Sequence, residues 1–431
     1  MRSRLVFKFG GASVRDAQGI RNITTIVQRQ LSESPVSLAC VVSATGKTTN
    51  ALEEVLRTRL QNAEEAHKKA SDVVNHHRAM WRELEVSSPS VLAELDEIES
   101  RLHETLNDFD SQRYEEFYDR LVSEGERLST CLVAGWWEAQ GLPHRLVDAR
   151  ELVRTGLQWR EGEVDWPVTE RAIRMAAENL WNDNPDSVLL TQGFIGGGPE
   201  HQSVTLGREG SDYSAALLAA ALMAESLTIW KDVAGVFNTD PKRHPDAVLF
   251  TRLSYEDAME LACYGATVIH PKTLFPLRAR EIPMYVKSFM QPEAPGTRID
   301  ARPTMALVPS LIYRPGQALW HIKTYQGHFI KEDHLAQIFT IAARHRLKLN
   351  ALQHTAQEVN LVMDDDRVRL PDALVEMQEH FRVEPESPLT LITMINYSPA
   401  LVESILAGRK PLLEQRNLRV ARFVVAEEVS R

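Results

Sequence analysis

The sequence predicts an α/β protein with a mainly parallel central sheet, followed by smaller α+β units. Three observations support this prediction. Short apolar runs end in polar or glycine-containing loops and alternate with helical patterns, which is typical of a parallel sheet. From Lys47 to Glu124 there is no glycine, and helical spacing dominates, as in the apolar stripe Leu95, Ile98, Leu102 and Leu106. Beyond about Arg302, shorter strand and helix patterns recur.

The first domain is predicted over 1–302. It opens with an apolar strand at 5–9 and a second one at 38–43, and a helical insert occupies about 50–125. Three further apolar strands are predicted at 188–190, 227–230 and 283–286. Because open α/β sheets bind ligands at the carboxyl ends of their strands, we expect the chemistry to cluster in the loops that follow these strands.

The second region is predicted over 303–431. Its first unit, at about 316–385, alternates strand and helix patterns, and a shorter echo of the same order fills 386–431. We therefore expect one complete α+β unit and one partial unit.

Composition excludes several classes of protein. The chain has 431 residues, of which 43% are apolar and 25% are charged, and this ordinary globular usage excludes long disordered, collagen-like and coiled-coil structures. Lysine and arginine total 49 against 59 aspartate and glutamate residues, so the net charge is -10. An acidic globule repels phosphate backbones, so we expect no nucleic-acid partner.

Cysteine usage and hydropathy indicate a soluble cytoplasmic protein. Cys40, Cys131 and Cys263 lie far apart without a CxxC pair, which favours a reducing compartment over a disulfide framework or a zinc site. No uncharged apolar run approaches the ~18 residues that cross a bilayer, and the N-terminus does not resemble a secretory signal. We expect no membrane partner.

Two nucleotide-binding motifs begin in this sequence but are incomplete. The run at 45–48 imitates the end of a Walker loop, but Val41 stands where that loop needs its first glycine. A dinucleotide fingerprint begins at Gly196 and Gly198 and is broken by His201.

Two adjacent histidines in the helical insert raise the question of a metal site. His76 and His77 are neighbours on a helix and therefore point to different sides, which favours solvated side chains over metal ligands. We expect no metal bound by the protein itself.

Lys8 stands at the end of the first predicted strand, just before Gly10 and Gly11. A lysine in this position can bring an ammonium to a phosphate, while the bare glycine backbone lets N–H groups approach the phosphate oxygens. The alternative is an ordinary strand-to-helix turn with a solvated lysine.

The segment 205–214 precedes an apolar helix. It combines two glycines with Arg208, Ser211 and Asp212, and so offers backbone donors, the positive end of a helix dipole and a bidentate carboxylate clamp. The alternative is that Ser211 or Asp212 merely caps the helix. Because capping does not require the arginine or the glycines, we favour a binding site.

A loop after a later apolar strand carries an aromatic ring, carboxylates and lysines, which are suited to a purine, a ribose and phosphates. The residues are Lys231, Asp232, Phe237, Asp240 and Lys242. The alternative for this loop alone is an ordinary solvated surface.

Taken together, these segments resemble the amino-acid kinase fold, and specifically the aspartate kinases (aspartokinases). The resemblance covers about 4–300 and rests on eight segments in the same order as in the family: VFKFGGASV, VVSATGKTTN, SEGERLS, LVDAR, LLTQGFIG, TLGREGSDYSAALLA, IWKDVAGVFNTDPK and YGATVIHPKTL. The C-terminal units resemble ferredoxin-like ACT modules, the second one incomplete. The resemblance implies a sandwich around a mainly parallel sheet, with a helical insert and a regulatory ACT region.

The resemblance also implies roles for individual residues. Lys8 would neutralise charge on the transferring phosphoryl group, and Asp212 would orient Lys8 and the reacting groups. Glu126 would hold the substrate's α-ammonium and Arg208 a carboxylate. The other implied substrate contacts are Ser43 and Ser211; the implied nucleotide contacts are Lys8, Gly10, Gly11, Lys231, Asp232, Phe237, Asp240 and Lys242.

Three positions depart from the family pattern. The family usually has Thr at the positions of Ala12 and Lys231, and Lys at the position of Thr267. We hypothesise that Lys231 partly compensates for the lysine missing at Thr267. In that case Lys231→Thr would weaken ATP binding more than aspartate binding.

The implied activity is ATP-dependent phosphorylation of the β-carboxylate of L-aspartate, with Mg²⁺ arriving as the ATP complex. This reaction is the first step toward lysine, threonine and methionine. Two alternatives are another small-molecule kinase of this fold and a catalytically silent amino-acid sensor.

The ACT resemblance implies an amino-acid effector site and a homodimer or larger homo-oligomer. Gly327 permits a close turn, and Asn350, Gln353 and Thr355 supply neutral polar groups, while the nearest acid is Glu358. Because a second ammonium would lack an obvious partner, we expect weak or absent inhibition by lysine, with threonine the better candidate effector.

Overall fold

The computed structural model describes residues 2–266, 268–304 and 308–427, and they divide into two units. Within these residues the first unit comprises 2–236, 249–259 and 268–304, and the second comprises 237–248, 260–266 and 308–427. No helix in the described part of the chain is long and apolar enough to span a membrane.

The described part of the first unit contains ten strands, which lie between Ser3 and Asp300. They are β1 (Ser3–Phe9), β2 (Val36–Val42), β3 (His144–Val147), β4 (Val188–Gln192), β5 (Ile195–Gly197), β6 (Ser203–Thr205), β7 (Ser226–Lys231), β8 (Arg252–Ser254), β9 (Met284–Ser288) and β10 (Thr297–Asp300). Eight of them form one sheet in the order β3-β4-β2-β1-β7-β9-β10-β8, and β5 pairs with β6 as a small separate ladder.

The large sheet is parallel except between β9 and β10, which are antiparallel. All seven residues of β2 are buried, as expected for a parallel strand covered on both faces. The carboxyl ends of β1, β2, β4 and β7 therefore meet at one edge of the sheet. These observations confirm the predicted α/β class.

Eleven helices accompany these strands along the described chain. They are α1 (Ala17–Glu33), α2 (Thr48–Arg59), α3 (Ala63–Glu83), α4 (Pro89–Asn107), α5 (Tyr114–Val122), α6 (Glu124–Ala139), α7 (Ala149–Leu152), α8 (Trp166–Asp183), α9 (Gly210–Leu222), α10 (Tyr255–Tyr264) and α11 (Pro271–Ala279), with 3-10 turns at Gly11–Val14 and Ser111–Arg113.

Helix α9 is buried on nearly every side, with Tyr213 its one residue outside the core. It packs against α8, α11 and the strands β1, β2 and β7. A helix that is apolar all round is stable only when it is enclosed in this way, and its alanines allow close packing. The N-terminus of α9 is thereby held at the carboxyl edge of the sheet.

The predicted helical insert is present as α2 to α5, which pack on one another and on α6. The predicted apolar stripe of α4 is completely buried in this cluster: Leu95, Ile98, Leu102 and Leu106. His77 is a correction to the sequence analysis, because it is fully buried rather than solvated and its Nδ1 lies 2.8 Å from the carbonyl oxygen of Val73. Burial lowers the pKa of His77 to about 4.

The second unit is built on β11 (Ser310–Lys323), β12 (Leu349–His354), β13 (Val359–Asp364), β14 (Arg382–Ile395), β15 (Leu413–Arg416) and β16 (Val420–Ala426). Its own helices are α12 (Glu332–Arg344), α13 (Leu370–His380) and α14 (Pro399–Leu406). The six strands form a sheet in the order β12-β13-β11-β14-β16-β15, and all its pairs are antiparallel.

Two βα modules share this sheet. The first has the order β11-α12-β12-β13-α13-β14, and the second adds only α14, β15 and β16 after β14. The edge strands β12 and β15 approach each other, since Gln415 donates to the carbonyl oxygen of Leu352 and Gln353 donates to that of Glu414. The sheet therefore curls around an apolar interior. This confirms the predicted ferredoxin-like pattern with a second, incomplete module.

We predict that Leu95→Ala lowers the free energy of unfolding of the first unit by about 2–5 kcal/mol, because it leaves a cavity in the contact between the insert and α6. Leu92 on the same helix is 45% exposed, so Leu92→Ala should change stability by no more than about 0.5 kcal/mol. Urea unfolding followed by tryptophan fluorescence measures both. Equal effects of the two substitutions would contradict this packing.

Candidate active site

A buried cluster of charges lies at the carboxyl edge of the large sheet. Lys8 on β1 and Lys231 at the end of β7 both contact Asp212 in the first turn of α9. The Lys8 ammonium is 2.6 Å from Asp212 Oδ1, and the Lys231 ammonium is 3.1 Å from Asp212 Oδ2. Lys8 is 5% exposed and Asp212 is completely buried.

The two ammonium groups decide the ionisation of Asp212. Burial by itself would raise the pKa of this carboxyl, but the positive charges of Lys231 and Lys8 outweigh burial and hold the pKa of Asp212 well below its usual range. In turn, burial opposes the charge on Lys231, but Asp212 and Glu209 raise its pKa above the ordinary value. Asp212 and Lys231 are thus both charged at neutral pH.

The chain reaches α9 through a strained turn. Glu209 precedes the helix in the left-handed region, with φ of 54°, and its carboxylate lies 3.6 Å from the Lys231 ammonium. Gly193, after β4, lies so close to this helix that a Cβ atom there would come within 2.5 Å of Ser211 Cβ. Only glycine at this position lets the β4 loop pack against Ser211.

Glu126, near the N-terminus of α6, is a buried carboxyl with one unused oxygen. It is 2% exposed; Oε1 accepts a hydrogen bond of 3.4 Å from the Ala44 amide, and Oε2 has no partner among the described residues. Burial raises the pKa of Glu126 to about 8, although the Ala44 amide and the Lys8 charge lower it in part. This carboxyl is suited to an incoming cation.

The loops after β1 and β2 are locked together beside this carboxyl. The Ser43 amide donates to the carbonyl oxygen of Phe9, and the Gly46 amide donates to that of Gly11. A Cβ atom on Gly11 would lie 2.7 Å from the Ala44 carbonyl oxygen, whereas one on Gly10 would meet nothing closer than 3.6 Å. Gly11 is therefore required by packing, whereas a Cβ atom on Gly10 would be in ordinary contact with Lys8 Nζ and the Trp230 carbonyl oxygen.

Eight of the predicted site residues lie at this edge of the sheet: Lys8, Gly10, Gly11, Ser43, Glu126, Ser211, Asp212 and Lys231. Arg208 lies in the turn before α9, and its guanidinium is exposed with no ion pair among the described residues.

The remaining candidates are placed differently. Asp232 is exposed just after β7. Phe237, Asp240 and Lys242 belong to the second unit, where Asp240 accepts a hydrogen bond from the Lys242 amide in an exposed turn. Thr267 lies outside the described residues.

Sequence reasoning missed Glu209, Ala44 and Gly193. Glu209 lies within a recognised motif but resembles any solvated acid until the left-handed turn directs it toward Lys231. Ala44 contributes a backbone amide, which no side-chain pattern can reveal. Across the described residues, no group of three metal-ligating side chains is present.

Glu126 should make folding stability depend on pH. The folded state holds its proton up to about pH 8, while the unfolded state loses it near the ordinary carboxyl pKa. Between these limits the folded state binds more protons, so this group lowers stability by about 1.4 kcal/mol per pH unit as pH rises.

We expect Glu126→Gln to remove this contribution, so that the variant gains stability over the wild type as pH increases from 5 to 8.5. Chemical denaturation at several pH values measures the difference. Glu94→Gln, at a half-exposed carboxyl on α4, serves as the control. A difference between Glu126→Gln and wild type that is independent of pH would mean that Glu126 is ionised in the folded protein.

Comparison with known proteins identifies the family. The model of the amino acid kinase family matches residues 3–288. Lysine-sensitive aspartokinase 3 of Escherichia coli (strain K12) is 32% identical over 403 residues, which cover 91% of this chain and 86% of that protein.

Solved structures agree with the sequence match. The crystal structure of E. coli aspartokinase III in complex with aspartate and ADP, in its R-state, superimposes with a TM-score of 0.83 at 28% identity and covers 98% of this chain and 96% of that one. The T-state of the same enzyme, in complex with lysine and aspartate, has a TM-score of 0.74 at 28% identity and covers 98% and 95%. The chain therefore belongs to the amino acid kinase family and, within it, to the aspartokinases, as its motifs predict.

Proposed function

We propose that this chain transfers the γ-phosphoryl group of ATP to the β-carboxylate of L-aspartate. A carboxylate oxygen forms the new bond to phosphorus, the bond to the β-phosphate oxygen breaks, and ADP leaves with 4-phospho-L-aspartate as the other product. The product would enter lysine, threonine and methionine synthesis. The observation that carries the proposal is the buried pairing of Lys8, Asp212 and Lys231 at the N-terminus of α9.

Aspartate would be held by groups of opposite charge. The unpartnered Oε2 of Glu126 would accept the α-ammonium, and the free guanidinium of Arg208 would hold a carboxylate in a bidentate manner. Ser43 and Ser211 would add hydrogen bonds from the loops on either side. Glu126 would lose its proton when the ammonium binds, so the two contacts suit a zwitterion, which disfavours a nucleotide as the phosphoryl acceptor.

Transfer itself would depend on positioning and on charge. The β-carboxylate is already a nucleophile at neutral pH, so no general base is required. Lys8 and the positive end of the α9 dipole would neutralise the charge that develops on the phosphoryl oxygens. Because the site is buried, these interactions act at low dielectric, where they are strong.

The nucleotide would approach from the loops after β1 and β7. We propose that Gly10 and Gly11 contact phosphates, and that Asp232, Phe237, Asp240 and Lys242 serve the ribose and base. Mg²⁺ would arrive as the ATP complex and neutralise phosphate charge. Since the described residues contain no cluster of three ligating side chains, the phosphates and water would supply most of its ligands.

All three cysteines are free thiols, which supports a reducing, cytoplasmic setting.

The proposal predicts ADP release that depends on aspartate and fails with other amino acids. Release of ADP with another acceptor would indicate a different kinase of this fold. Absence of ADP release with every acceptor tested would favour a silent sensor.

In the same coupled assay, Lys8→Ala should lower kcat by about 100- to 1,000-fold, the effect of removing one donor to a developing charge. Lys69→Met, which removes an ammonium on the helical insert, is the control. Near-normal turnover of Lys8→Ala would refute the role given to Lys8.

The modules of the second unit are proposed to bind an amino-acid effector and to hold a homodimer or larger oligomer. Two of the predicted effector residues are already engaged: Asn350 donates to Gln317 and Asp364 at 2.7 Å, and the Gly327 amide donates to the Thr324 carbonyl oxygen. The remaining two also have partners within the unit, Gln353 with Glu414 and Thr355 with Glu358.

The acid nearest in sequence to the 350–355 segment is also occupied. Glu358 Oε2 lies 3.0 Å from the ammonium of the chain's own Lys323, and Glu358 Oε1 lies 3.0 Å from His321 Nδ1. An incoming lysine would have to displace an internal ammonium, which supports the expected insensitivity to lysine.

We expect lysine to inhibit weakly or not at all, and threonine to be the more effective of the two. Titrating each amino acid against aspartate-dependent ADP release measures this. Strong inhibition by micromolar lysine would contradict the expectation. Lys323→Met would then reveal whether Glu358 is the acid concerned, since it frees that carboxylate and should increase lysine sensitivity.

A further inference from the structure

The Lys231 ammonium contacts three acceptors from three segments of the chain. It lies 3.1 Å from Asp212 Oδ2 on α9, 3.6 Å from Glu209 Oε2 in the turn before α9, and 2.6 Å from the carbonyl oxygen of Val268. The Val268 contact is a hydrogen bond, and the contacts with Asp212 and Glu209 are ion pairs. Lys231 is therefore held by two carboxylates and one carbonyl oxygen of the protein itself.

Lys8 holds the same carboxylate in a different way. Its ammonium lies 2.6 Å from Asp212 Oδ1 and has no second acceptor within the described ranges. Two of its N–H groups therefore remain for an incoming oxygen. The two lysines around Asp212 are thus not equivalent: Lys231 contacts three groups of the protein, whereas Lys8 contacts only Asp212 among the described residues.

The register of the sheet explains how both lysines reach one carboxylate. Strands β1 and β7 are parallel neighbours, and Lys8 is paired with Ile229. Lys231 therefore lies two residues nearer the carboxyl edge, about 6–7 Å further along the strand direction. With Lys8 alone, the carboxylate could rotate about its last torsion angle, which has a broad energy profile. The second contact removes that freedom.

We propose that Lys231 is a positioning residue for phosphoryl transfer that acts through Asp212. It holds and neutralises this carboxylate, so that Lys8 keeps its two free N–H groups for the transferring phosphoryl group. The inference rests on the proposed function, and it differs from the phosphate-ligand role that the sequence suggests for Lys231. Through Val268 and Glu209, the same ammonium also ties the start of α9 to the segment before α11.

The charges around Asp212 determine what removal of Lys231 should do. Lys8 faces Asp212 from β1 and Lys231 from β7; Glu209 faces Lys231, and Glu126 on α6 senses the Lys8 charge. Without Lys231, Asp212 keeps a single cation, so its pKa rises. The carboxylate would also move with Lys8, which then presents its N–H groups less accurately.

The test compares Lys231→Met, Lys231→Arg and a matched control, Lys287→Met. Lys287 is on the adjacent strand β9, packs its ammonium over the Trp230 ring at 5.3 Å, and is not a contact of Asp212. We expect Lys231→Met to lower kcat by about 100-fold, the cost of a small misplacement in a transfer site, with KM for ATP and for aspartate changed by less than about threefold.

Lys231→Arg should restore most of the rate, and Lys287→Met should resemble wild type. A tenfold or larger rise in KM for ATP would overturn the proposal in favour of a phosphate ligand. A kcat of Lys231→Met equal to that of wild type would overturn it as well.

A second measurement does not require activity. The carboxyl carbon of Asp212 can be followed by ¹³C NMR, with its signal assigned by its absence in Asp212→Asn. Its pKa should be lower in wild type and Lys231→Arg than in Lys231→Met by about one unit or more. Equal values overturn the inference. If wild type fails to release ADP with aspartate, the proposed function falls, while this titration still decides what Lys231 does to Asp212.

Discussion

The charge on Asp212 is the constraint on which the rest of the site depends. A buried carboxylate without partners costs several kcal/mol, so the fold must bring cations to it from other segments. It does so with two adjacent parallel strands and with a helix whose first turn lies between their ends. The burial of α9 on almost every side, the tight packing of Gly193 on Ser211 and the left-handed turn at Glu209 all fix the position of this one side chain.

Opposite environments shift the pKa values of the two carboxyls of the site in opposite directions. Asp212 lies between ammonium groups and stays ionised, whereas Glu126 is buried with one weak amide contact and holds its proton to about pH 8. One carboxyl is thus kept charged by the protein, and the other awaits a cation from outside. Both properties come from position rather than residue type, because each carboxyl has an ordinary pKa when it is solvated.

Much of this arrangement could be predicted from the sequence. The glycines after β1, the segment before α9 and the glycine-free insert have local signatures, and the α4 stripe and the incomplete second module were found as expected. The pairing of Lys231 with Asp212 could not be predicted, because it depends on the relative height of β1 and β7, which the register sets. The same holds for His77, whose burial depends on how α3 packs and not on its neighbours in sequence.

The two long strands of the second unit limit how this region can be cut or exchanged. β11 and β14 have 14 residues each and run through both modules, so the two modules share these strands. A truncation that removed the second module would strip β16 from β14 and expose a row of unpaired backbone groups, a template for aggregation. Domain grafting between relatives should therefore keep both modules of 308–427 together.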